Sequence, residues 1–142
     1  KNPNVRRFVL YALHRTKQDA TSAVPHIYRH LEDEDAQVRS EALAALSILH
    51  NDAEEFARRC TLMLSDTEAS VRTTAQDVLA KLGAVSLPHL RDAARHEDSR
   101  VRHGVVLSLG KFEVSSPEGT TIASQLLHDT DKPSDSMRFV SW

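Results

Sequence analysis

Histidine is the most conspicuous chemistry-bearing residue type in this chain, with eight in 142 residues. His26 and His30 stand four apart, which on a helix puts both imidazoles on one face within reach of a single ion. A third ligand would have to be Asp33 or an acid from a following segment. His26 is followed by Ile27, so the glutamate of a His-Glu-x-x-His zinc site is missing. The pair reads as two partly exposed polar side chains flanking an apolar stripe through Ile27 and Leu31. The sequence holds no Ser/His/Asp grouping, no glycine-rich phosphate loop and no Cys-x-x-Cys. We expect no catalytic residue, no metal and no cofactor.

Charged residues recur instead. The dipeptide Val-Arg appears at Val5-Arg6, Val38-Arg39, Val71-Arg72 and Val101-Arg102, at offsets of 33, 33 and 30 residues. A fixed period of that length marks stacked supersecondary units, each unable to bury its apolar face alone. At offsets 0, 4, 7, 8 and 11 from each valine stand apolar or small residues, for example Val38, Ala42, Ala45, Leu46 and Leu49. Those offsets share one face of a helix, so each Val-Arg opens an amphipathic helix, here termed B.

At 14, 11 and 7 before the valine stand Val24, Ala57 and Leu87, then Ile27, Cys60 and Leu90, then Leu31, Leu64 and Ala94. These define a second helix, A. Pro25 and Pro88 fall in its first turn, where proline costs no hydrogen bond. A short acidic turn joins A to B, and its Asp and Ser residues suit N-caps. The spacing predicts B helices over 3–16, 36–50, 69–83 and 99–112, and A helices over 20–32, 53–65 and 85–96. A weaker pair follows over 120–128 and 136–142, with Met137-Arg138 in place of Val-Arg.

Leu-Pro-His-Leu at 87–90, the turn aspartate, then Val-Arg-x-x-Ala and x-x-Leu resemble HEAT repeats, in particular the short bacterial type found in phycobilin-lyase-like HEAT proteins. The resemblance covers residues 3 to 112 clearly and the remainder weakly. It implies an all-α, right-handed superhelix of about four and a half two-helix units. It also implies that Arg39, Arg72 and Arg102 pair with turn aspartates such as Asp33, Asp66 and Asp98 in a structural ladder between units. The iron-binding hydroxylase branch of the family uses several His-Glu pairs near the starts of B helices. Here His103 is followed by Gly104, and the only such pair, His96-Glu97, lies in a turn. No residue identifies a bilin site, which leaves a lyase role resting on repeat subtype alone.

Two surfaces remain. The family lines its concave face with B helices, whose outward positions two and ten after the valine are Arg7, Ser40, Thr73 and His103, then Arg15, Ile48, Lys81 and Lys111. Arg7, Arg15, Lys81, His103 and Lys111 are the expected partner contacts. Such a stripe suits a protein partner, or less well a phosphate backbone, because Ser40 and Ile48 interrupt it and no aromatics interleave it for base stacking. The acidic turns, with Glu32, Asp33, Glu34, Asp35, Asp66, Glu68, Glu97, Asp98, Asp129 and Asp131, would form a negative rim of helix caps. A net charge of −2 removes the main argument for nucleic acid.

The expected role is therefore a non-catalytic interaction or scaffolding module, a single repeat domain over 1–142 taken from a longer protein. Phe8, Val9, Leu10 and Tyr11 at one end and Phe139, Val140 and Trp142 at the other are not polar caps. Further repeats or self-association between copies would hide them. A single cysteine, Cys60, in an apolar column fits a reducing, cytoplasmic setting. No stretch reaches the roughly 20 apolar residues of a membrane span.

Overall fold

The computed structural model describes residues 2–16 and 20–112, with isolated positions at 117, 120, 121 and 124. Among the described residues the α-helices are α1 (Pro3–Thr16), α2 (Val24–Arg29), α3 (Ala36–Leu49), α4 (Ala53–Leu62), α5 (Ala69–Leu82), α6 (Leu87–Ala93) and α7 (Ser99–Lys111). Among the described residues there is no strand, and the chain is an all-α solenoid. Odd-numbered helices are the B helices and even-numbered ones the A helices. Short 3-10 turns extend the A helices: Thr21–Ala23 and His30–Glu32 flank α2, Met63–Ser65 follows α4, and Gly83–Ser86 precedes α6. The expected weaker pair over 120–128 and 136–142 lies outside the continuously described residues.

Several of the α–turn–α corners have a local chemical cause. Asp35 accepts from the amides of Gln37 and Val38 at the start of α3, Asp52 from Glu55 at the start of α4, and Asp98 from Arg100 at the start of α7. Each satisfies amides that a helix leaves without intrahelical partners. Pro25 and Pro88 occupy the first turns of α2 and α6 as expected. At the end of α5, Gly83 has φ +65°, a left-handed conformation that favours glycine. The Ser86 hydroxyl, fully buried, donates to the carbonyls of Leu79 and Gly83 at 2.9 and 2.7 Å. That corner accounts for the start of the third A helix at Leu87 instead of 85, because residues 83–86 form a separate 3-10 turn.

Packing follows the two stripes. The A-helix columns Val24/Ala57/Leu87, Ile27/Cys60/Leu90 and Leu31/Leu64/Ala94 are all buried. So are Val38, Val71 and Val101 and the small column Ala42, Ala75 and Val105. The small side chains let α1, α3, α5 and α7 pack in series, while α2, α4 and α6 pack beside them, each against its own B helix. The buried arc of the B helices is wider than the stripe: Leu10, Leu43 and Gln76, five after the valine, are buried too. A B helix inside a stack is covered by a neighbour on each side as well as by its A helix, so more than one face closes. Phe56 is likewise fully buried, packed between the rings of Tyr28 and His50 at centroid distances of 6.4 and 5.2 Å.

At the α1 end this cover is absent among the described residues. Val5 is 59% exposed and Phe8 69%, whereas Val38 and Val71, in the column of Val5, are 0% exposed. Val9 and Tyr11 are exposed as well, and Leu10 is buried. Phe139, Val140 and Trp142 lie outside the described residues.

Candidate interaction surface

The turn between A and B is where charge is organised. Asp33 ends the first A helix with extended backbone, and its Oδ1 accepts the amide of Asp35 at 3.0 Å. Arg6 of α1 reaches across to it, donating Nε to Oδ2 and Nη2 to Oδ1, both at 2.8 Å. One unit on, Asp66 Oδ1 accepts the amide of Glu68 at 2.9 Å, and Arg39 donates Nε and Nη2 to its two oxygens at 2.8 and 2.9 Å. These are bidentate, charge-assisted contacts between consecutive units, with little exposed surface on either aspartate. Arg39 also donates Nη1 to the carbonyls of Asp33 and Glu34, which fixes the guanidinium from behind.

The electrostatics match. The Arg6 hydrogen bond holds the Asp33 carboxyl down at about 2, helped by the Asp35 amide and by His30, against the opposing effect of burial. For Asp66, burial pushes the carboxyl up, but the bonds from Arg39 and the Glu68 amide and the charges of Arg39 and Arg72 outweigh it, leaving a net lowering. His30 Nδ1 lies 3.4 Å from Asp33 Oδ2, so it belongs to this rung, while His26 is exposed. Among the described residues, no three His, Cys, Asp or Glu side chains stand close enough to hold a metal ion.

The third turn departs from the expected ladder. Arg72 donates Nη1 to the carbonyls of Asp66 and Thr67 at 2.6 and 3.0 Å, as Arg39 does to its own turn, but among the described residues it meets no carboxylate beyond it. Asp98, one of the turn aspartates expected in the ladder, sits three before Val101, where Asp35 and Glu68 sit in their units. It caps α7 and pairs with Arg100 at 3.0 Å, which lowers its carboxyl. The position five before the valine, aspartate in the first two turns, is His96. Its Nδ1 accepts the Asp98 amide at 3.0 Å, imitating the aspartate's turn contact. Arg102 donates Nη1 to the carbonyls of His96 and Glu97, both at 2.7 Å. Counting back five residues from each valine would have picked out Asp33, Asp66 and His96, and with them Arg6 as the first rung.

On the outer side of the B helices, Arg15, Ile48, Lys81 and Lys111 are exposed in every described unit. Arg15 lies over the Tyr11 ring at 5.9 Å, and Lys111 Nζ contacts Asp77 Oδ1 at 2.6 Å. Arg7 donates to Gln37, linking α1 to α3, and Ser40 and Thr74 hydroxyls meet at 2.8 Å, linking α3 to α5. His103 and Thr73 are exposed. Gly104, where the hydroxylase pattern would have glutamate, is buried, and a Cβ there would stand 3.0 Å from Leu64 Cδ2. The α7 start is therefore a packing contact. The acidic rim is uneven: Glu32, Glu34, Glu68 and Glu97 are exposed, Asp33, Asp66 and Asp98 are bound by arginines, and Asp129 and Asp131 lie outside the described residues.

No helix among the described residues is long and apolar enough to cross a membrane. No curated protein matches the chain. Residues 1–80 and 56–138 match the HEAT repeats family. The chain belongs to the HEAT-repeat family.

Proposed function

We propose that this chain is a non-catalytic protein-binding module that presents the outer side of its B helices to a partner in the cytoplasm. The observation that carries the reading is the column ten residues after each valine. Arg15, Ile48, Lys81 and Lys111 are exposed and repeat in register along the stack, with Ile48, 43% exposed, as an apolar contact among cations. Interfaces draw their affinity from buried apolar and arginine contacts, and charge around them sets encounter rate. With Arg7 and His103 two after the valine, these residues are the partner contacts. Arg39, Asp33 and Asp66 serve as a structural ladder that stiffens the surface by tying unit to unit.

The short repeat places the chain, in our reading, nearest the phycobilin-lyase-like HEAT subtype in architecture but not in activity. The apolar face of α1 at Val5, Phe8 and Val9 is a second contact surface, suited to self-association of the domain. Capture from lysate with the tagged domain, with and without nuclease, tests the main reading when paired with Arg15→Glu/Lys81→Glu. A protein that survives nuclease and is lost in the double variant is the expected result. Retention that depends on nucleic acid, with affinity falling steeply as salt rises, would overturn it in favour of a phosphate-tracking surface.

A further inference from the structure

The third turn holds a guanidinium already positioned for an acceptor that none of the described residues supplies. Arg6 and Arg39 each present the Nε/Nη2 edge to the aspartate at the next turn, and both oxygens of that aspartate are taken up. Arg72 occupies the same column and is fixed from behind in the same way, through Nη1 to two turn carbonyls. Its Nε/Nη2 edge has no acceptor among the described residues. The nearby Asp66 carboxylate is already engaged by Arg39 and by the Glu68 amide.

His96 stands where the receiving aspartate would be. Because its Nδ1 accepts the Asp98 amide at 3.0 Å, the neutral ring carries its proton on Nε2. The remaining nitrogen is thus a donor where the other turns supply a second carboxylate oxygen. Asp98 does not substitute, since its oxygens are engaged by Arg100 at 3.3 and 3.0 Å. Arg72 is half-buried and His96 exposed, so both are open to solvent, and their columns are the ones that meet in the two filled rungs.

We propose that Arg72 and His96 form a binding site for one carboxylate side chain, aspartate or glutamate, of a partner polypeptide, which completes the third rung from outside. This rests on the protein-binding reading above. A carboxylate fits better than a phosphate: the two filled rungs clasp a planar pair of oxygens, and a dianion would meet the charges of Glu97 and Asp98.

The test is a titration of the domain followed through the Arg72 Nε–Hε resonance, at low ionic strength. The probes are a blocked Gly-Asp-Gly peptide, its Gly-Asn-Gly counterpart and inorganic phosphate. The expected result is a saturable shift at Arg72 with the aspartyl peptide alone, little response at Arg39, and loss of the Arg72 shift in His96→Asp, which fills the rung from within. Far-ultraviolet circular dichroism checks that this variant is folded, and Arg72→Lys, which removes the fork but keeps the charge, should weaken the peptide response at least severalfold as read by backbone amides around residue 96. An unsaturable or equal response to the asparagine peptide, an undiminished shift in His96→Asp, or tighter binding of phosphate would overturn the proposal. The titration uses no protein partner, so its failure is distinct from failure of the capture experiment.

Discussion

Arg39 and Arg72 occupy equivalent places in the repeat and should respond differently to truncation. Arg39→Ala leaves the half-buried Asp66 carboxylate without its bidentate partner, a loss of about 1–3 kcal/mol in urea denaturation. Arg72→Ala removes only two bonds to turn carbonyls and should cost about 1 kcal/mol or less. The rung carboxylates also make stability depend on acid. Asp33 is lowered from 3.8 to about 2, and Asp66 and Asp98 are lowered as well. A depressed carboxyl contributes stability that is fully present above its unfolded value and disappears as pH falls through the folded one. Melting temperature should therefore fall between about pH 4 and pH 2, and Asp33→Asn should flatten that fall while lowering stability at neutral pH.

At the scale of the element, helix starts differ in one atom's reach. Asp35 caps α3 through two amides, whereas Glu68, in the same place before α5, makes no side-chain cap bond. Asp35→Ala should cost about 1 kcal/mol, and Glu68→Asp should gain a few tenths to about 1 kcal/mol, both measurable by thermal denaturation. Helix α7 has the opposite problem, too little room. Gly104 lets it approach Leu64, whose Cδ2 and Cβ would stand 3.0 and 3.3 Å from an added Cβ. Alanine normally favours a helix interior over glycine by about 1 kcal/mol. Leu64 is fully buried and hemmed in, so Gly104→Ala should instead destabilise by about 1 kcal/mol, because overpacking forces the α7 contact apart.

For the whole molecule, the consequence of a solenoid is that surface and stability separate. Among the described residues the main contacts run between neighbouring units, and the outer B-helix column takes little part in them. Arg15→Glu/Lys81→Glu should leave the unfolding free energy within about 0.5 kcal/mol while abolishing partner capture. Loss of binding together with loss of stability would place those residues in the stack rather than on its surface. Phe8→Glu, at a 69% exposed position, should likewise be tolerated by the fold. Sedimentation of the two proteins then reads directly whether the α1 face joins copies, the wild type being the heavier if it does.

Over the described residues, sequence alone determined which segments are helical and most of the core. Those follow from local rules: the period of apolar positions, proline in a first turn, aspartate ahead of a helix, and the repeat that marks each valine column. The same local rules placed the outward cations of the B helices. What they did not determine was which charges meet. Arg6 and Arg39 reach aspartates 27 residues away in the chain, a distance that only the offset between stacked helices makes short. In the third unit the period shrinks to 30 residues, and the ladder that the resemblance implies names Asp98, which is the helix cap, instead of the rung position, where His96 stands. The burial of Leu43 and Phe56, and the close approach of Gly104 to Leu64, likewise depend on neighbours contributed by adjacent units. Periodicity reports which face of a helix turns inward; only tertiary packing decides how much of the helix is covered and which side chain lies opposite.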